Sequence, residues 1–264
     1  MFNPHEPLAT SARRNLAIAS VSLFILAWTA LSASGAVSEA RLPAPWSVLS
    51  ALSHLAWNTD HQTSPLLTAI GWSTFRIGAA MSLVVALGVP LGVLMGASPR
   101  IDAFLSPLID PLRSAPIVAV LPILMMWLGI GEEMKIAFLW LGAVVYLVPM
   151  VRDAIQAVPQ AYVVLSQDLG ATPLETVWHT LLPLARPRIF DAVIVSVGIE
   201  WTYITVAEYV NATEGLGYII QTARKLSSMD QVFAGILVIL VLALLTDQVL
   251  KAIKRWWFPW EAEA

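Results

Sequence analysis

Two carboxylates stand inside one long apolar run. Glu200, Ile204, Glu208 and Asn211 recur at i, i+4, i+8 and i+11, one face of a helix, with Tyr203 and Tyr209 close by. Acids at that spacing do chemistry when a nucleophile, a base or further metal ligands accompany them. Here nothing does. The chain has no Cys, and its four His (His5, His54, His61 and His179) are scattered without ligand spacing. No nucleophile–base pair and no GxxxxGK[ST] run occurs, so no catalytic residue, no metal site and no bound cofactor is expected. Ionised groups within an apolar run are costly and face cavities or partners. Two readings follow. Glu200, Tyr203, Glu208 and Asn211, with Arg76, line or gate a pathway. Alternatively the acids pair within the core, with Arg76 or Arg113 as partners. Two pathway carboxylates would repel an anion, which favours pairing or protonated acids if the cargo is anionic.

A second constellation is built for contact. Gly170 suits the left-handed position that closes a helix over 161–169. Thr172, Pro173 and Glu175 then form a T-x-x-E capping box with proline at the first helical position. Leu174, Val177, Trp178 and Leu181 fall at i, i+3, i+4 and i+7 as an apolar stripe. Pro183 is expected to end this helix, and Pro187 to limit the approach to the next. The stripe must be covered. It packs on the chain's own spans, lies at the lipid surface, or docks a partner.

The elements that position these residues are membrane spans. Of the 264 residues, 58% are hydrophobic and 12% charged, about half the charge of a soluble domain. Six apolar segments, near 16–33, 77–97, 114–130, 136–151, 189–210 and 232–250, each approach the ~20 residues of a spanning helix. The second extends back toward Leu66, too long for one perpendicular crossing. Arg13, Arg14, Arg100, Arg152, Arg186, Arg188, Lys251, Lys254 and Arg255 fall on one side, against Arg41, Lys135, Arg224 and Lys225 on the other. The richer side is cytoplasmic by the positive-inside rule, which puts both termini and the loop at 159–187 inside. The first segment is longer than a signal peptide's apolar region and is expected to remain as a helix. The net charge of −3 gives no reason to expect a nucleic-acid partner.

Smaller features fit this layout. Trp46, Leu49, Leu52 and Leu55 mark a short amphipathic helix in the first outer loop, on the membrane surface or packed as a loop helix. Glu132 and Glu133, between Gly131 and Lys135, mark an outer turn. Asp247 and Lys251 are spaced for a helix-surface ion pair. The run from Trp256 to Trp260 is an interfacial belt, and Pro90, Pro116, Pro122 and Pro149 interrupt spans.

Gly170, nine further residues and Thr180-Leu181-Leu182-Pro183 resemble the EAA loop of ABC importer permeases. Gly88-Val89-Pro90-Leu91-Gly92, the run from Trp127 to Glu132, Val206-Ala207-Glu208, the run from Glu214 to Tyr218, and the run from Val232 to Ile236 resemble further signatures of that family. The likeness covers most of the chain and is nearest to permeases of the taurine, sulfonate, nitrate and bicarbonate group. It departs where the E-A-A residues are Val164-Leu165-Ser166 and where the motif Ile is Thr180.

The resemblance implies an all-α membrane protein with six transmembrane helices and the type I importer permease fold, as a single domain over 1–264. It implies a bacterial inner-membrane location, a second permease copy (a homodimer), a cytoplasmic ABC ATPase dimer carrying ATP and Mg, and a periplasmic or lipid-anchored binding protein. The cargo it implies is a small solute such as a sulfonate, nitrate or bicarbonate. Gly170, Thr172, Pro173, Leu174, Glu175, Val177, Trp178, Leu181 and Pro183 would form the ATPase-docking element. The competing class is a stand-alone secondary transporter, which calls for coupling-ion sites and often internal repeats. No halves-repeat is visible in the sequence.

Overall fold

The computed structural model describes residues 9–57 and 64–261, so His5 and His61 lie outside the described residues. These form helices throughout: α1 Thr10–Ala33, α2 Pro45–Ala56, α3 Pro65–Leu83, α4 Val89–Ala97, α5 Pro99–Ile109, α6 Leu121–Leu128, α7 Glu132–Gln156, α8 Gln160–Asp168, α9 Pro173–Thr176, α10 Leu182–Tyr209, α11 Leu216–Lys225 and α12 Met229–Trp257. The chain divides into two compact units, Met1–Leu66 with Ile219–Leu237, and Leu67–Tyr218 with Val238–Ala264.

In the first unit, Val48 and Ala51 of α2 are buried with Ala234, and Trp28, Leu52, Leu55 and Phe233 pack around them. The Trp28 indole donates to the Pro43 carbonyl at 3.0 Å. The stripe expected on α2 is therefore split. Leu52 and Leu55 face this core, whereas Trp46 and Leu49 point outward. The small side chains of Val48 and Ala51 allow the closer approach and so set the packed face.

The second unit is organised by two long helices that run side by side in the same direction. Helices α3 and α4 run as one 33-residue helix, Pro65–Ala97, through a π turn at Val84–Gly88. Pro90 follows that turn. Proline lacks an N–H and its ring crowds the carbonyl four residues back; a widened turn accommodates both without ending the helix. Along α7, Gly92 and Gly96 let the backbones meet. A Cβ at Gly92 would lie 2.6 Å from Val151 Cβ and 2.7 Å from the Val148 carbonyl oxygen. At Gly96 it would lie 2.6 Å from Ile155 Cβ. The contact uses the close approach that only small residues permit between membrane helices.

The third apolar segment is not the straight span expected over 114–130. Helical stretches Pro99–Ser114 and Ile117–Leu128 meet at 99°. Pro116 forces Ala115 into extended backbone (φ −74°, ψ 139°), as proline does to its predecessor. The broken pair still carries the chain across. Arg76 meets Glu132, the first residue of α7, whereas Gly96 meets Ile155 near its other end. The two helices cover twenty and twenty-three residues between those contacts, about 30 to 35 Å, enough for the thickness of a bilayer core. The chain leaves α4 at one end and begins α7 at the other, so the segment between them must traverse. With α1, α3–α4, α7, α10 and α12, all long and apolar enough to span, the broken pair brings the candidate spans among the described residues to six.

Helix α10 corrects a second expectation. Pro183 does not end the capped helix. Pro173–Tyr209 is a continuous 37-residue helix, with a π turn at Val177–Leu181 just before Pro183 and Pro187 inside it. The device is the one used at Pro90. In the C-terminal part of this unit, Asp247 pairs with Lys251 at 2.8 Å as expected. Trp256 and Trp260 are exposed, while Phe258 packs on Phe190 with ring centroids 6.0 Å apart.

Candidate functional site

The expected site residues separate into a charged hub at one end of the second unit and a capped apolar loop at the other. The hub is centred on Arg76. Its Nε and Nη2 donate to the two oxygens of Glu132 at 2.5 and 2.8 Å, and its Nη1 donates to Glu208 at 2.7 Å and to the Glu214 carbonyl at 2.9 Å. Lys135 Nζ donates to Glu132 at 2.7 Å. Glu208 also accepts from the Ser73 hydroxyl at 2.8 Å and from the Gly217 N–H at 2.7 Å, and Ser73 accepts from the Leu216 N–H at 2.9 Å. The Trp72 ring lies 5.4 Å from the guanidinium, a cation–π distance.

This hub joins α3, α7, α10 and the turn that leads to α11. Gly215, at φ +119°, and Gly217 bring that turn onto Glu208; a Cβ at Gly215 would sit 2.5 Å from its carboxylate. Of the two readings of Glu208, pairing with Arg76 is the one observed. Arg113 takes no part; its backbone carbonyl accepts from the Tyr146 hydroxyl at 3.2 Å.

The face expected to unite Glu200, Glu208 and Asn211 is interrupted. Helix α10 stops at Tyr209, and Asn211 is an exposed turn residue at φ +46°. An asparagine tolerates that left-handed conformation better than most residues, which suits it to a turn. Tyr203 packs edge-on against Phe138 with centroids 5.8 Å apart. Glu200 is fully buried, and neither carboxylate oxygen finds a hydrogen-bond partner among the described residues. It pairs with neither proposed arginine.

At the opposite end the loop forms as its sequence requires. Gly170 adopts φ +90° after α8. Thr172 Oγ1 accepts from the Glu175 N–H at 3.3 Å, and the Thr172 N–H donates to Glu175 Oε2 at 2.8 Å, completing the capping box. That donation holds the Glu175 carboxyl below its ordinary range. Ser166 and Thr176 share a hydroxyl hydrogen bond at 3.3 Å that ties α8 to α9.

The stripe is presented rather than sealed: Leu174 is 67% and Trp178 59% exposed. With Val177 they border a groove of about 590 Å³ whose other wall is Val89, Pro90 and Val93 on α4 and Ile101 on α5. Leu182, not Leu181, continues the stripe there. The π turn inserts one residue, so the position expected at i+7 arrives at i+8. Two sets of contacts were absent from the sequence reading. Arg152 reaches Asp102 of α5 at 3.5 Å and Asp110, in the turn after it, at 3.2 Å, tying both to the C-terminal part of α7. Ser98, whose side chain accepts from the Ile101 N–H, caps α5.

Comparison with known proteins places this geometry. The family described as "Binding-protein-dependent transport system inner membrane component" matches residues 88–258. The taurine transport system permease protein TauC of Escherichia coli (strain K12) is 31% identical over 253 residues, 96% of this chain and 92% of that protein. The putative aliphatic sulfonates transport permease protein SsuC of Bacillus subtilis (strain 168) is 30% identical, covering 90% of this chain and 85% of its own. The bicarbonate transport system permease protein CmpB of Synechococcus elongatus is 24% identical, covering 91% and 88%. Among solved structures, an inward-facing MetNI methionine ABC transporter matches with a TM-score of 0.66 at 22% identity, over 72% of this chain and 94% of that one. That match shows the fold.

Proposed function

We propose, from the premise that this chain belongs to the binding-protein-dependent inner-membrane permease components of ABC transporters, that it forms half of a pathway for a small oxyanion. Membership makes it a multi-pass transport subunit and not the ATPase, and implies both an ATPase and a binding protein as partners. It replaces the stand-alone secondary transporter. The finer reading is ours. The cargo is an organic or inorganic anion of the kind named in two of its relatives: a sulfonate, or bicarbonate. Two copies of this chain form the pathway. ATP and Mg are held by the partner, and the 170–183 loop and both termini face the cytoplasm, as the Arg and Lys distribution favours.

One observation carries the docking claim. A capped loop presents Leu174 and Trp178 to the outside, at the end remote from the hub. Large apolar groups at a water-facing loop mark an interaction surface. Because Pro173–Tyr209 is one helix, a partner that moves Trp178 moves α10 with it. Closure of the two ATPases on ATP would therefore shift the inner ends of both permeases. ATP biases the cycle only through its different affinity for the two states.

The test is coexpression with the ATPase partner. Trp178→Glu should abolish copurification of the ATPase and ATP-dependent uptake while leaving the thermal transition of the permease in place. Full association and uptake in that variant would overturn the docking claim.

A further inference from the structure

The hub contains an asymmetry that packing alone does not require. Arg76 is 2% and Lys135 3% exposed, yet the carboxylate that both of them hold, Glu132, is 39% exposed. Glu208, the other acid, is fully buried and fixed by Ser73 and the Gly217 N–H as well as by Arg76. The two acids therefore differ in kind. Glu208 belongs to the frame, whereas Glu132 occupies a two-cation seat from the solvent side. Its two oxygens take a bidentate guanidinium and an ammonium, the arrangement that recognises any planar or tetrahedral oxyanion.

We propose that Glu132 is an internal stand-in for the transported anion, and that Arg76 and Lys135 form an anion-binding site at the outer end of the pathway. The proposal rests on the anion reading above and on the orientation given there. Charge then fixes the class of ligand. The two cations and two acids of the hub cancel. With Glu132 withdrawn, one positive charge remains. The seat thus takes a singly charged oxyanion, such as a sulfonate, nitrate or bicarbonate, and disfavours a dianion, which would leave net negative charge among buried groups. The α7 N-terminus adds to the preference, because Gly131 supplies no side-chain cap and its first amides face the same end. Glu132 also explains how the seat releases its guest. An anion bound to two buried cations with no competitor would stay; an attached carboxylate returns the hub to neutrality when the anion moves on. Because Glu132 begins α7, exchanging it for a free anion would release α7 from α3 at that end.

Chemical rescue tests this in the full-length chain coexpressed with its ATPase. Glu132→Ala empties the seat and should lower the thermal transition. Millimolar methanesulfonate or nitrate should restore it saturably, with an apparent affinity roughly tenfold or more above that of wild type, whose own carboxylate competes. Sulfate at matched ionic strength should not, and adding Lys135→Met should abolish the rescue. If Glu132→Ala does not accumulate, Glu132→Gln keeps a side chain in place and is read the same way. Absence of monoanion rescue, or equal rescue by sulfate, overturns the proposal. In either case, Trp178-dependent uptake of an anion by the wild-type complex would show that the transport reading stands while the seat does not.

Discussion

The two ends of the Leu67–Tyr218 unit solve opposite problems. At the hub, charged groups are withdrawn from solvent and answered from within: Arg76 and Glu208 are buried and joined to each other. At the loop, apolar groups are held out: Leu174 and Trp178 stay exposed on a frame of local hydrogen bonds between Thr172 and Glu175. A buried pair resists the loss of either member, since the survivor is left as an uncompensated charge. An exposed stripe contributes little to the free chain and much to whatever covers it. The hub therefore reads as what holds the helices together, and the loop as the surface we propose another protein covers.

Substitutions sharpen this contrast, beginning with the largest effect. Glu208→Ala should destabilise the chain by about 3–5 kcal/mol, the cost of orphaning a buried charge, read as thermal unfolding in detergent. A loss below about 1 kcal/mol would mean that water reaches the hub and that the contrast is false. Between the two ends, Gly92→Val should cost about 1–3 kcal/mol or prevent accumulation. Its Cβ would meet Val151 at 2.6 Å and a backbone carbonyl that cannot rotate away. Gly71→Ala, where nothing lies within 4 Å, is the matched control and should be neutral or slightly stabilising.

At the loop, Thr172→Ala should cost about 1 kcal/mol, seen as faster amide exchange at Glu175 with the global transition little moved. The Glu175 carboxyl titrates below its ordinary value of 4.5 when folded. Its share of the cap is therefore full above that pH and fades as pH falls further, so exchange at the Thr172 amide should quicken under acid. Leu174→Ser should change stability least, within about 0.5 kcal/mol, while weakening ATPase association measurably. Unchanged association would move the docking surface away from this stripe.

What the sequence revealed follows the same division. The loop was legible because its determinants are local: Thr172, Pro173, Glu175 and Gly170 act within a few residues of one another, and the capping box forms as read. The continuation of the helix through Pro183 was not legible. Proline alone signals a stop, and only the π turn at Val177–Leu181 shows how its missing N–H is tolerated. The same turn moved the stripe from Leu181 to Leu182. At the hub, the Arg76–Glu208 pair was readable as one of two options, because buried acids and bases seek each other. Glu132 was not: a carboxylate beside glycine and lysine at an outer turn looks solvated until α3 is laid against it. Asn211 kept helical spacing on paper, but the helix ended two residues earlier. Glu200 remains a buried acid without a partner among the described residues, and the packing of α10 gives no reason for it.

The unbroken course of Pro173–Tyr209 has a mechanical consequence. From Trp178 to Glu208 it is a shaft of about 45 Å. Pinned at Glu208 by Arg76, it acts as a lever with its fulcrum at the hub. A tilt of about 5° on that length sweeps Trp178 through about 4 Å while Glu208 hardly moves. Read in reverse, a push of a few ångströms at the loop arrives at the fulcrum as torque rather than travel. The free end of α7, held there through Glu132, is then the part that yields.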